Sequence, residues 1–198
     1  MQRALGSDWS RLPAALQAHH RDGVCVDRGH LDIEYPLGMQ PVLNAMKLLG
    51  ALVHRKGRRV TTTVMKQMVG ERQHWRRTFE YDDGQVLRFD SVLVARQRHL
   101  VEFVNPVLGL ETAPAVVDGR LQYRGIRYVA KFGALLLPIP EWLVLGHTTI
   151  VEQAVGDRHF AMDFRATHPL MGELFRYSGR FEADVRPRPA EPAEPAAS

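Results

Sequence analysis

The feature that most constrains this chain is a change of period. From Arg58 onward apolar and polar residues alternate with period two, in runs cut by glycine-bearing turns. Val60–Val69 and Glu71–Tyr81 flank Gly70, and Val86–Ala95 follows Asp82-Asp83-Gly84. Leu100–Val104 comes after a short Arg-Gln-Arg-His link. Asp118-Gly119 divides Ala115–Val117 from Leu121–Ala130, and Gly156-Asp157 divides Thr148–Val155 from His159–Ala166. A last run covers Leu174–Val185, and a first strand is expected at about Val24–Tyr35, with Gly29 as a bulge. Such alternation turns one face of each strand toward a core. Reversals this short pair successive strands antiparallel, because parallel neighbours need long crossovers. A sheet of many strands closes to remove its exposed edges. The expected fold is therefore mainly β, an antiparallel up-and-down sheet of about 8–10 strands closing into a barrel or half-barrel.

Two helices accompany the strands. A short one is expected over residues 8–20, capped by Ser7 or Asp8, with Leu12, Leu16 and His19 or His20 on one face. The main one, about 40–54, has Pro41 in its first turn and Val42, Met46, Leu49 and Val53 at helical spacing. It is apolar enough to be buried against the sheet or to plug one end of a barrel. Residues 133–146 interrupt the strand pattern. Pro138 and Pro140 exclude a central strand or a continuous helix there, so this apolar stretch is expected to fold over a barrel mouth. The Pro/Ala/Glu composition of 186–198 indicates a disordered tail, which leaves 1–185 as a single β-rich domain.

Alternation also identifies polar residues on apolar faces. Arg77 shares a face with Trp75, Phe79 and Tyr81; across the turn the matching set is Leu87, Phe89, Ser91, Leu93 and Ala95. Glu102 lies with Leu100 and Val104, and Glu152 with Ile150 and Ala154. His159, Asp163 and Arg165 fall on the opposite face from Phe160, Met162 and Phe164 and are expected outside. An unpaired charge in such an interior is costly, so Arg77 needs a carboxylate, first Glu102 and then Glu152. Three roles are open to this group: a structural ion pair, an anchor for a ligand head group, or catalysis with the carboxylate as base. His168, held extended before Pro169, and Tyr177 are further candidates at a cavity rim.

Several classes of function are excluded or disfavoured. The single cysteine, Cys25, rules out an internal disulfide and a cysteine zinc cluster, and its Val-Cys-Val setting suggests a packed thiol. No phosphate loop, H-E-x-x-H or G-x-S-x-G motif occurs. The adjacent pair His19-His20 should point apart on a helix, so a metal site would have to be assembled from distant strands; neither metal nor cofactor is expected. A net charge of +4 brings nucleic acid into consideration. The one dense basic run, His54–Arg59, follows a helix and reads as a solvated turn, so no nucleic-acid partner is expected. No apolar leader core and no run of apolar residues long enough to span a bilayer are present, and a cytoplasmic location is expected.

The chain also resembles the bacterial domain of unknown function DUF4166 over about residues 5–183. The likeness rests on Leu5-Gly6, on Leu12-Pro13-Ala14-Ala15-Leu16 with His19, and on Trp75-Arg76-Arg77-Thr78-Phe79. It continues through Leu100-Val101-Glu102-Phe103 with Pro106, and Leu136-Leu137-Pro138-Ile139-Pro140 with Trp142-Leu143. Thr167-His168-Pro169-Leu170-Met171-Gly172, ending in Arg176-Tyr177-Ser178-Gly179, is the most specific stretch. Asn105 stands where the resemblance implies glycine, which puts the local turn in question. The resemblance implies no activity. Through relatives fused to oxidoreductase domains or membrane segments, it implies a partner oxidoreductase or a membrane surface. Arg77, Glu102 and His168 fall inside its motifs.

These readings converge on a domain that binds a small apolar or amphiphilic ligand in a barrel cavity. The candidate ligand-binding residues are Trp75, Arg77, Glu102, Glu152, His168 and Tyr177. The alternatives are an enzyme working through those same inward groups, or an interaction module using 133–146.

Overall fold

In a computed structural model, described for residues 1–185 apart from 49, 51 and 52, eleven strands form one sheet that closes on itself. The strands are β1 (Val24–Glu34), β2 (Gly57–Val69), β3 (Arg72–Glu80), β4 (Val86–Arg96), β5 (His99–Phe103), β6 (Leu108–Val117), β7 (Arg120–Phe132), β8 (Leu135–Ile139), β9 (His147–Ala154), β10 (His159–His168) and β11 (Gly172–Val185). Their order is β6-β5-β4-β3-β2-β1-β11-β10-β9-β7-β8, and a β6–β7 pairing shuts the ring. Ten strands thus make a closed antiparallel barrel, and β8 hangs outside as an extra strand on β7. The tail 186–198 lies outside the described residues.

The turns follow their chemistry. Asp118 and Gly119 both have positive φ, at 49° and 71°, and join Val117 directly to Arg120, as a two-residue hairpin between right-twisted strands requires. Asn105 replaces the expected glycine without loss, because its Oδ1 accepts from the backbone N–H groups of Val107 (2.8 Å) and Leu108 (2.6 Å). Pro138 sits in β8, whose one partner strand is β7, so the missing N–H breaks no central ladder. The 133–146 segment is therefore an outer edge strand followed by a 3₁₀ turn at Glu141–Leu143, with Leu135, Trp142 and Leu143 exposed.

Gly29 is no bulge; the irregularity in the β1–β2 ladder falls between Leu31 and Ile33. Gly29 is needed instead for close approach, since a Cβ there would lie 2.0 Å from the Arg180 carbonyl oxygen.

The helical segments close the ends. α1 (Gln2–Leu5), a 3₁₀ stretch over Gly6–Arg11 and α2 (Ala14–His19) stand where one helix over 8–20 is expected. Pro13 is the residue before α2 and divides the segment; Asp8 caps nothing and pairs with Arg11. Leu5, Leu12 and Leu16 are buried in the barrel core, so this segment stoppers one end. α3 (Gln40–Leu48) covers the other end. It is shorter and less buried than the apolar run suggests: Leu43 is fully buried, while Val42, Asn44, Ala45 and Lys47 face water. The Tyr35 hydroxyl lies within hydrogen-bond distance of the His54 carbonyl (2.8 Å) and of Gln40 Oε1 (2.7 Å), which ties both flanks of α3 to the rim. The core includes Phe160, Phe175 and Phe181 with Leu31, Ile33, Leu100 and Leu121. Outward positions carry polar side chains, as at Arg72, His74, Arg76 and Glu80 of β3. Among the described residues no helix is long and apolar enough to cross a membrane.

We expect Gly29→Ala to cost about 1–3 kcal/mol in urea unfolding, the penalty of forcing atoms into packed space. Gly38→Ala, where a Cβ meets open space, should stay within ~0.5 kcal/mol of the parent. Equal effects at the two glycines would refute the close-approach argument.

Candidate ligand cavity and its buried charges

Side chains fill most of the barrel, and a cavity of about 130 Å³ remains between its stoppered ends. Its wall is largely apolar, with Leu31, Phe89, Leu100, Ile150 and Phe164 among the contributors. Two polar groups interrupt that wall.

The first is built on β3, β4 and β5, neighbours in the sheet. Arg77 Nη2 donates to Glu102 Oε1 at 2.7 Å and Nη1 to Ser91 Oγ at 2.8 Å. Ser91 in turn donates to Glu102 Oε1 at 2.6 Å. The guanidinium lies 4.8 Å from the Trp75 ring centroid and 5.0 Å from that of Phe89, so two aromatic faces hold it. Burial alone would raise the Glu102 pKa, but Arg77 and Ser91 outweigh it and hold the carboxyl below its ordinary value. Tyr177 stacks on Phe164 at 4.6 Å. Burial pushes its phenol well up, so the hydroxyl stays protonated, and it has no hydrogen-bond partner among the described residues.

The second group lies where the end of α2 meets β1, β2, β7 and β9. Lys66 Nζ and Asp27 Oδ2 are 2.6 Å apart, and both side chains are wholly buried. His19 Nδ1 lies 2.8 Å from the same Asp27 oxygen and 2.7 Å from Lys66 Nζ. Lys66 also donates to the His19 carbonyl. On its other side His19 Nε2 is 3.6 Å from Glu152 Oε1. His20 Nε2 is 2.6 Å from Glu152 Oε2, and the Tyr123 hydroxyl is 3.0 Å from His20 Nε2.

Burial and Lys66 both oppose protonation of His19. Asp27 and Glu152, one on each ring nitrogen, overcome them and raise its pKa. Burial dominates at His20 and lowers it to about 4. Against the pull of burial, His19 and Lys66 keep Asp27 ionised, and the two histidines keep Glu152 ionised; both carboxyls stand well below their ordinary values. Lys66 offsets one of the two carboxylates, and a proton on His19 would offset the other. His20 Nδ1 has no acceptor among the described residues, so neutral His20 carries its proton on Nε2 and donates to Glu152.

Trp75, Arg77, Glu102, Glu152 and Tyr177 line one cavity. Glu102, the first-ranked carboxylate, is the one that meets Arg77, and Glu152 serves the histidines instead. His168 is not among the lining residues. Its Nε2–H donates to the Trp142 carbonyl at 2.9 Å and its Nδ1 accepts from Leu170 N–H at 3.2 Å, which clips the 140–146 loop to the β10–β11 turn. Both ring nitrogens are thereby engaged, leaving none for acid–base work on a ligand.

Sequence reasoning missed Asp27, Lys66, His19, His20 and Tyr123. Two of these were visible by period: Asp27 alternates inward with Cys25, Leu31 and Ile33, and Lys66 with Val60, Thr62 and Val64. His19 and His20 do not point apart as helical geometry implies, because α2 ends at His19 and His20 has left it at φ −104°. Their rings meet edge to face, with centroids 4.2 Å apart.

The sequence profile described as Domain of unknown function (DUF4166) matches residues 12–181. The chain belongs to this family. No curated protein and no solved structure matches it significantly. The stretches that carry the resemblance fall on structural junctions: Trp75–Phe79 and Leu100–Phe103 hold the Arg77–Glu102 pair, and Trp142-Leu143 and Thr167–Gly172 meet at the His168 clip.

Lys66→Met, which leaves Asp27 buried without its cation, should cost about 3–5 kcal/mol by urea denaturation. Adding Asp27→Leu to that variant should recover much of the loss, since removing both members of a buried pair is far less costly than removing one. A double variant no more stable than the single would count against mutual compensation.

Proposed function

We propose that this DUF4166 domain holds one small, mostly apolar molecule in the barrel cavity, with a single polar group of that molecule directed at Tyr177 and the Arg77–Glu102 pair. The observation that carries this reading is a largely apolar cavity lined by Tyr177, whose protonated hydroxyl has no hydrogen-bond partner among the described residues, together with the partly buried Arg77–Glu102 pair. A polar group facing apolar walls is costly unless something satisfies it. The size argues against a long acyl chain. An engineered protein cavity of about 150 Å³ takes up benzene, so the fitting class here is a single-ring or short branched compound bearing a hydroxyl or carbonyl.

Phenol or p-cresol added to the full-length protein should raise Tm and bind with Kd of about 0.1–1 mM, as expected for ligands of so few atoms. Val64→Phe, which puts a ring into the cavity wall, should abolish that shift while leaving the far-ultraviolet circular dichroism unchanged. Tyr177→Phe should weaken p-cresol and spare toluene. No thermal shift with any of these probes, together with a water-filled cavity in a crystal structure, would remove the proposal.

A second reading concerns the outside of the barrel. Trp142 and Leu143 are each 59% exposed, and the His168 clip brings their loop to Leu170 and Met171, at 89% and 61%. Large apolar side chains gathered at one rim fit a docking surface for a membrane or a partner protein. Phosphatidylcholine/phosphatidylglycerol vesicles should blue-shift the tryptophan emission, and the Trp142→Ala variant should lose the shift. An unchanged spectrum at saturating lipid would leave the partner-protein form alone.

A further inference from the structure

We propose that the convergence of His19, His20 and Glu152 inside the barrel is a binding site for one divalent transition-metal ion of the zinc, cobalt or iron(II) class. The inference is independent of the ligand reading above, since it concerns the opposite polar group of the cavity.

Ligand atoms from all three residues lie within 4.8 Å of one another, and all three residues are buried. Two imidazoles and one carboxylate form the set that leaves a coordination position open on zinc or non-haem iron. Nε2 of each histidine already faces a different oxygen of Glu152, at 3.6 and 2.6 Å. An ion placed among them would take over the contacts now made by protons on those nitrogens.

The surroundings support the same reading. Asp27 Oδ2 lies 2.8 Å from His19 Nδ1, the arrangement by which a second carboxylate fixes a metal-bound imidazole with Nε2 free to ligate. Lys66 neutralises Asp27, so that pair adds no net charge. A divalent ion with Glu152 and two neutral imidazoles carries one positive charge, and hydroxide or an anionic ligand in the open position would cancel it. His19 and Glu152 both line the cavity, so that position faces the space in which a small molecule fits. The Tyr123 hydroxyl stands beside the site, 3.0 Å from His20 Nε2. The cost falls on His20 Nδ1, which would then carry a proton with no protein acceptor among the described residues. Affinity below that of closed structural zinc sites follows.

Full-length protein, treated with chelator and then titrated with Co²⁺ alone, provides the test. We expect one Co²⁺ per chain, visible d–d absorption from four- or five-coordinate nitrogen and oxygen ligation, and a Tm that rises with Zn²⁺. Glu152→Gln and His20→Gln should each weaken Co²⁺ binding by at least about 10-fold, the lower bound for losing even an outer-shell partner. The other seven histidines serve as the internal control for adventitious binding, since neither substitution touches them. Binding of equal affinity in wild type and Glu152→Gln overturns the proposal. So does the absence of low-coordinate bands and of any Tm change in the wild type at millimolar Co²⁺ or Zn²⁺, a result that needs no variant to fold.

Discussion

The pairing of β6 with β7 decides the electrostatics of this molecule. An open sheet would let water reach the inward faces of β2 and β9, where Lys66 and Glu152 would be ordinary solvated charges. Closure places Lys66, Asp27, His19 and Glu152 in an interior where an isolated ion costs several kcal/mol, so each must be held by another. The stoppers at the two ends complete that exclusion. The N-terminal segment does so with the residues that also supply the histidines. Leu12 and Leu16 anchor α2 in the core, and the chain leaving its last turn delivers His19 and His20 to Glu152 on the far wall. The end cap and the polar site are thus one structural unit.

Much of the barrel was legible because alternation and glycine turns are local signals. Most expected strands match the observed ones within about three residues, although β6 begins seven residues before the expected Ala115 and β8 lies where no strand is expected. The inward assignment of Arg77, Glu102 and Glu152 follows from period alone. What period two cannot carry is depth along the barrel axis. Arg77 and Glu152 share the interior face yet belong to different polar groups, and it is the register of β3 with β4 and of β4 with β5 that brings Arg77 to Glu102. The histidines escaped for a different reason. Their direction depends on where α2 stops, and helix ends are set by tertiary packing more than by propensity. His168 shows the converse. Its motif is distinctive, but the residue earns its place by joining two loops, and the same proline that extends it also presents its ring to the Trp142 carbonyl.

The apolar stretches outside the strand pattern also divide by context. Both α3 and 133–146 look like material for a lid. α3 becomes one because Tyr35, Gln40 and His54 fix its flanks across the barrel end and Leu43 drops into the core. The 133–146 segment cannot do so, since Leu135–Ile139 is already committed to β7 from outside. Leu135, Leu137, Trp142 and Leu143 therefore remain exposed, while Leu145 near the end of the segment is buried in the core. The interior is correspondingly fuller than a hollow ligand-binding barrel, and the space left suits a ring rather than a chain.

The retention of so many ions in that space bears on what the domain is for. Replacing a buried charge network with hydrophobic side chains of similar volume is commonly neutral or stabilising by about 1–4 kcal/mol. A barrel with Phe160, Phe175, Phe181 and fourteen Leu, Ile and Val side chains among the described core residues does not need Lys66, Asp27 and Glu152 to fold. Stability alone would fill their positions with leucine and methionine. Two imidazoles aimed at one carboxylate, a second carboxylate behind the first imidazole, and a cavity against the group make up a polar arrangement whose components are oriented toward a point. A structural network also needs oriented partners, but the convergence of both histidines on Glu152 beside the cavity is the feature that the proposed metal site would use.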